Sequence, residues 1–374
     1  MKKSIIVLYS IFLSLFSIFS YLFVDPNLSY LRSIYSDFTF SSRLLTSVFY
    51  ISFIIVFFIF YGIFINLLVK KKLNTRDVFL LIGITFVILF FSYPAILSYD
   101  IFNYIATSKV LFFYQENPYV IMPFEFTADP LLAFTRAANK IALYGPFWIL
   151  LTGFPYVFGF GNFITTLIGF KFLIGFFYLA SVFIFWKISK NIITVLLFAL
   201  NPLIVIETLV SGHNDIVMVF LAILSFFILM RKKTFLAVLF LILSILIKYA
   251  TVLLVPIFLY MLFNVIKKRE IDWKSVFYLS SLLMTVGFLL SPIREEIYPW
   301  YAIWFLSFSF LVPNKKLLLY ISIAFSFGLM FRYVPFIFSG THAGITPTVK
   351  SIVTFVPSCL ILFYFLIKKK LGKT

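Results

Sequence analysis

The sequence predicts an all-α polytopic membrane protein folded as a single domain, and three observations carry that prediction. The 374 residues are 63% hydrophobic and 22% aromatic but only 12% charged, with a mean hydropathy of +1.10. Water-soluble domains hold about 45–50% apolar and about 25% charged residues, so composition excludes a soluble fold. Apolar runs of ~20 residues, long enough to cross a ~30 Å hydrocarbon core, recur along the chain. Between them the basic residues cluster: Lys2-Lys3, Lys70 to Lys72 with Arg76, Lys187 and Lys190, Arg231 to Lys233, Lys267 to Arg269 with Lys274, Lys315-Lys316, and Lys368 to Lys370 with Lys373. Only Asp77, Glu270 and Asp272 accompany them, and these segments account for the whole net charge of +18. That is the positive-inside pattern of cytoplasmic loops, and it implies no nucleic-acid-binding surface.

With the basic clusters cytoplasmic, the predicted spans are 4–24, 44–69, 77–97, 162–186, 191–210, 214–230, 234–247, 249–264, 275–291, 300–313, 317–331 and 347–366. An even number of crossings places both termini in the cytoplasm. The first run is long and lacks an Ala-x-Ala-like site, so it reads as a retained signal anchor. The single cysteine, Cys359, falls in an apolar run and reads as packing; it excludes a CxxC-type metal site.

Two stretches resist simple counting. Residues 234–264 lie between two cytoplasmic clusters, so they must go out and return with only ~23 Å of helix each way. Their turn falls near Lys248-Tyr249, below the outer membrane surface, where an ammonium calls for a wet cavity or an anionic partner. The other stretch, 98–161, is a long non-cytoplasmic loop. Within it 144–160 reads as a helix in the interface flanked by Tyr144, Trp148 and Tyr156, with re-entry as the alternative.

Residues able to carry chemistry gather on that face. Asp100 follows a span exit, with Asn103, Tyr104 and Ser108 at helical spacing; it reads either as a helix N-terminal charge or as a general base. Ser211-Gly212-His213-Asn214-Asp215 joins two spans. It is either a loop capped by Asp215, or a set of groups for sugar hydroxyls or, through His213 and Asp215, a cation. Glu207, one to two turns earlier, should face a cavity rather than lipid. Lys248 pairs with a distant carboxylate or with a ligand phosphate. Beyond Arg294-Glu295-Glu296, the set Tyr298-Pro299-Trp300-Tyr301 is an interfacial belt or a sugar-stacking platform. Arg332 and His342 are weaker candidates. A cavity open to this side and to the outer leaflet suits a substrate with a polar head and a lipid tail.

The motifs in order are Asp100-x-x-x-Tyr104, Glu116-Asn117-Pro118-Tyr119, Tyr144-Gly145-Pro146-x-Trp148, Gly212-His213-Asn214-Asp215, Lys248-Tyr249 with Pro256 downstream, and Pro299-Trp300-Tyr301-x-x-Trp304. This order resembles the polyprenyl-phosphate-mannose-dependent mannosyltransferases of the GT-C superfamily over roughly residues 77–310. The resemblance implies a GT-C-type helical bundle whose first large external loop carries the catalytic aspartate, and inverting transfer from a polyprenyl-phosphate sugar to a glycan or glycolipid hydroxyl. Asp100 would then be the base, with Lys248 and Arg294 on the donor phosphate. Asn103, Tyr104, Tyr144, His213, Asn214, Asp215, Trp300 and Tyr301 would line the sugar or acceptor pocket.

Two departures from the pattern matter. Two spans precede the loop, and Phe102 stands where DxD-type relatives carry a second acidic residue, so no bound metal or other cofactor is expected. An O-antigen-ligase-like transferase would need more arginines at the cavity than Arg294 and Arg332. A lipid-sugar flippase would need polar residues on both sides of the midplane.

Overall fold

A computed structural model describes residues 2–24, 38–133, 135–293 and 296–372, and among them every regular element is helical. The first helices are α1 (Lys2–Ser20), α2 (Arg43–Val69), α3 (Thr75–Phe90), α4 (Asp100–Phe112) and α5 (Pro146–Phe158). Then come α6 (Phe163–Ser189), α7 (Ile192–Ala199), α8 (Asp215–Met230), α9 (Thr234–Ile245) and α10 (Val255–Ile266). The chain closes with α11 (Trp273–Leu290), α12 (Ala302–Phe310), α13 (Lys316–Phe331) and α14 (Thr346–Lys370). The most extensive pairings are α8 with α9, α13 with α14 and α11 with α12.

Each of the twelve predicted spans overlaps helix, but among the described residues only seven helices are long and apolar enough to cross a membrane alone. The bent pair Ile192–Ala199 and Pro202–Val210 makes an eighth. The basic clusters and the candidate site lie at opposite ends of the same helices. α2 runs from Arg43 to the Lys70–Lys72 turn, α8 from Asp215 to Arg231, and α14 ends on Lys368 to Lys370. Lys71, Lys190, Lys232 and Lys268 take the left-handed conformation just after helix ends, with φ between 51 and 60°. Glycine usually holds that position, and a side chain there costs about 1–2 kcal/mol. Four lysines in these turns fit the demand for positive charge on this side outweighing backbone preference.

Two readings of apolar segments are corrected. Cys359 is exposed on the outer face of α14 beside Leu360 and Phe363, because that run is apolar toward lipid and not toward a core. Tyr144 and Trp148 are buried and stack edge-on against Tyr104 at 4.7 and 5.0 Å, so they are core and not an interfacial belt. The helix that follows Tyr144 and carries Trp148, α5, is only 13 residues, about 20 Å long. It packs Ile149, Thr152 and Pro155 inward against α4 and α6, while Leu150, Phe154 and Val157 stay exposed.

Breaks in helices aim the site. Asn201-Pro202 ends α7: the Asn201 side chain accepts from the N–H groups of Leu203 and Ile204, and the chain bends by 56°. A π-helical turn, Ile206–Val210, follows, an uncommon geometry that recurs at functional sites. Gly212, at φ +76°, then turns the chain into His213, with Ile101 packed 3.1 Å from where a Cβ would stand.

The break between α9 and α10 is held by the Tyr144-Gly145-Pro146 motif. Gly145 N–H donates to the Ile247 carbonyl and Phe147 N–H to the Leu246 carbonyl, both at 3.0 Å. A Cβ on Gly145 would overlap the Leu246 carbonyl, so only glycine allows this approach. Gly145→Val should therefore displace the turn carrying Lys248, destabilising the protein by about 1–3 kcal/mol and lowering its thermal midpoint in detergent. An unshifted midpoint would show that this clamp does not hold the turn.

Candidate active site

Two cavities, of about 500 and about 640 Å³, meet at Asp100. Both are lined by Asp100, Asn103, Tyr298 and Trp300. Tyr144, Lys248, Tyr301 and Trp304, with Lys140, Tyr249 and Ser291, complete the polar and aromatic wall of the first. Of the residues picked from sequence, six thus face one cavity: Asp100, Asn103, Tyr144, Lys248, Trp300 and Tyr301. Tyr104, His213, Asn214 and Asp215 are fully buried and stand behind its wall. Of the eight residues expected to line the sugar or acceptor pocket, Asn103, Tyr144, Trp300 and Tyr301 therefore do and these four do not: the 211–215 loop supports the lining residues from behind. Arg294, expected at the donor phosphate, lies outside the described residues.

Asp100 opens α4, and its carboxylate faces the cavities with 23% side-chain exposure. Asn103, one turn on, reaches its Oδ1 at 3.4 Å and accepts the Ala137 N–H at 3.2 Å, tying the long loop to the helix. Behind Asp100, His213 Nδ1 lies 3.5 Å from Asp100 Oδ2 and Nε2 lies 3.2 Å from Glu207 Oε2. These are close charge contacts without aligned hydrogen-bond geometry. The Tyr333 hydroxyl donates to Glu207 Oε1 at 2.7 Å. Trp300 stacks on His213 at 4.0 Å and 14°, and Tyr298 stacks on Trp300 at 4.6 Å and 12°.

Electrostatics follow from this packing. Burial raises the Asp100 pKa, but the His213 and Lys248 charges and the Asn103 amide more than offset it and hold the carboxyl below its usual value. Burial lowers the His213 pKa, but its two carboxylate neighbours outweigh that and push it up to about 9. Asp100 is therefore ionised, and His213 charged, across the neutral range. A carboxylate of this kind can accept a proton from a hydroxyl brought beside it.

Lys248 has found its carboxylate. Its Nζ donates to Asp215 Oδ2 at 2.7 Å, while Trp304 Nε1–H donates to Asp215 Oδ1 at 2.6 Å. Both oxygens of Asp215 are engaged within the protein, so its role is to fix Lys248 and Trp304. The Lys248 ammonium sits 4.9 Å over the Tyr301 ring, and Tyr301 stacks on Trp304 at 4.4 Å. The aromatic 298–304 segment is thus a cavity wall and not a belt. Asn214 adds a buried amide whose Oδ1 and Nδ2 have no hydrogen-bond partner among the described residues, the kind of group that awaits water or substrate.

Sequence reasoning missed several residues here. Tyr333 was not marked at all. Lys350 was hidden inside a predicted span, and Arg43 stood at a span boundary. Together with Arg136, Arg332 and Glu296, the latter two line the second cavity. Lys171, inside another predicted span, is buried and donates to the carbonyls of Leu89 and Ser92, closing the C-terminal end of α3. The Glu116–Tyr119 motif is a support: the Tyr119 hydroxyl donates to the Tyr144 carbonyl at 2.8 Å. Among the described residues no three His, Cys, Asp or Glu side chains gather as a metal site.

One comparison with known proteins decides the class. A family model described as alpha-(1->6)-mannopyranosyltransferase, N-terminal domain, matches residues 19–264, roughly two thirds of the chain. The chain belongs to this mannosyltransferase family. It is a membrane mannosyltransferase. The match takes in Asp100, Tyr144, the His213 loop and Lys248 of the mannosyltransferase. The aromatic wall from Tyr298 to Trp304 and the basic groups Arg332 and Lys350 come from the following residues. No curated protein and no solved structure gives a significant match.

Proposed function

We propose that this mannosyltransferase moves mannose from a polyprenyl-phosphate donor to a hydroxyl of a glycan or glycolipid on the non-cytoplasmic face, by a single inverting displacement. The observation that carries this reading is the position of Asp100, an ionised carboxylate where two cavities meet. The acceptor oxygen attacks the anomeric carbon, the bond from that carbon to the phosphate oxygen breaks, and the phosphate leaves with the electron pair. The acceptor proton passes to Asp100. One carboxylate without a covalent nucleophile suits inversion. An inverting step that makes the α-linkage in the family's description begins from a β-linked donor, and a 1→6 bond takes a primary hydroxyl.

The leaving phosphate needs positive charge rather than a proton. Lys248 supplies it in the first cavity, held by Asp215 with N–H bonds to spare, while Trp300 and Tyr301 offer faces for the sugar ring. Asn103 and Tyr144 take sugar hydroxyls. Tyr104, His213 and Asn214 act behind them, His213 by holding Asp100 ionised. Placing the site outside rests on the basic turns at the other ends of the helices.

Purified protein in lipid nanodiscs, given a panel of polyprenyl-phosphate sugars and a mannoside acceptor, should release polyprenyl phosphate only with β-linked mannose. Excess EDTA should leave that rate unchanged. Turnover confined to pyrophosphate-linked donors would sink the reading, and loss of activity in EDTA restored by Mg²⁺ or Mn²⁺ would overturn its metal-free form.

A further inference from the structure

The second cavity carries a charge pattern that the catalytic reading leaves unused. Among the described residues four cations reach it from segments far apart in sequence: Arg43 at the start of α2, Arg136 in the long loop, Arg332 just after α13, and Lys350 in the first turns of α14. Apart from the shared Asp100, which faces His213, the one carboxylate lining it among the described residues is Glu296. Arg332 Nη2 and Lys350 Nζ both donate to the same Glu296 oxygen, at 2.7 and 3.0 Å. Their side chains are only 8% and 10% exposed. Arg332 Nη1 reaches the Thr354 hydroxyl at 3.3 Å, and Arg43 Nη1 a backbone carbonyl, that of Ile337, at 3.3 Å.

Among the described residues two nearly buried cations share one carboxylate, which leaves a positive charge there without a counter-charge, and an anion would complete the site. Guanidinium forks beside an ammonium are the usual means of holding phosphate oxygens. His342 fits the same pattern. Burial and the neighbouring Lys350 keep its pKa low, so it is neutral and takes a Lys350 N–H on Nδ1, 3.3 Å away. Its Nε2–H then remains a donor. Phe23, Phe40, Phe336 and Ile337 make the apolar part of the wall, and Phe40 and Phe336 are exposed, as a rim for a hydrocarbon chain would be.

We propose that the second cavity is a phosphate site for the acceptor: the second substrate is a phosphate-bearing lipid glycoside, its phosphate held by Arg43, Arg332 and Lys350 and its hydroxyl reaching Asp100. This rests on the reading of Asp100 as the point where donor and acceptor meet. It also revises the arginine count drawn from sequence, since Arg43 and Arg136 join Arg332 at the site.

The test has a binding arm that needs no turnover. Thermal unfolding of the full chain in detergent is followed against hexadecyl phosphate, inorganic phosphate and hexadecanol. Hexadecyl phosphate should stabilise saturably and hexadecanol should not, with inorganic phosphate at least tenfold weaker. Lys350→Gln leaves a one-to-one Arg332–Glu296 pair, and Arg43→Gln strands no charge, so both should fold. Each should weaken hexadecyl phosphate binding about tenfold when combined with Lys248→Met/Asp215→Asn, which removes the donor-phosphate cation of the first cavity. Equal binding of inorganic phosphate would overturn the lipid part, and loss of all binding on Lys248→Met/Asp215→Asn alone would move the phosphate to the first cavity.

In turnover, an alkyl mannoside carrying a phosphodiester should show an acceptor KM at least tenfold below that of its uncharged counterpart, and Lys350→Gln should erase the difference at constant donor KM. A rise in donor KM instead would overturn the acceptor assignment. A chain that binds hexadecyl phosphate through Arg43 and Lys350 but never transfers mannose would keep the phosphate site and defeat the catalytic reading.

Discussion

Asp100→Asn should lower mannosyl transfer by about 10²–10⁴-fold, the usual contribution of a positioned general base, with donor binding and folding retained. The amide is isosteric, keeps a partner in Asn103, and leaves His213 paired with Glu207. The pH dependence sharpens the test. Asp100 sits below its usual carboxylate value, so activity should persist in acid until the carboxylate takes a proton there. His213, charged up to about pH 9, should set the alkaline limb. Removing that charge by His213→Gln lets burial dominate Asp100, so the acid limb should move to higher pH. Steady-state kcat/KM across pH for both variants checks this. Undiminished turnover by Asp100→Asn, or an acid limb unmoved in His213→Gln, would remove Asp100 from the base role or His213 from its support.

Much of this molecule is legible in its sequence because lipid is a strict solvent. Every buried backbone group in a bilayer needs an internal partner, so apolar runs become helices, and the basic turns give direction. The site was legible as a face: Asp100, Lys248 and Trp300 come from distant segments, yet each falls at the helix ends opposite the basic turns and so shares a level. What sequence does not encode locally is rotation and depth. Lys171 and Lys350 lie within apolar runs and were read as lipid-spanning; only packing shows that one closes a helix end and the other reaches a cavity. Likewise Asn103 and Tyr104 are neighbours in one motif, but they point to opposite sides of the cavity wall.

The Lys248–Asp215 pair gives the second large effect, because it separates stability from donor binding. Lys248→Met should strand a fully buried Asp215 with only the Trp304 indole as donor, a loss of about 3–5 kcal/mol for breaking a buried pair. Asp215→Asn should cost less. Its Oδ1 still accepts from Trp304, and the freed ammonium is partly exposed to the cavity. The double variant Lys248→Met/Asp215→Asn removes both charges and should recover most of the stability, since a neutral, well-packed replacement of a buried pair is often harmless. Donor affinity should not recover with it: if the ammonium holds the leaving phosphate, donor KM stays high and kcat low in the double variant as in Lys248→Met. Thermal midpoints and donor KM for the four members of the cycle decide the matter. Should the double variant regain both, Lys248 is a structural partner of Asp215 alone, and the donor phosphate belongs with the cations of the second cavity.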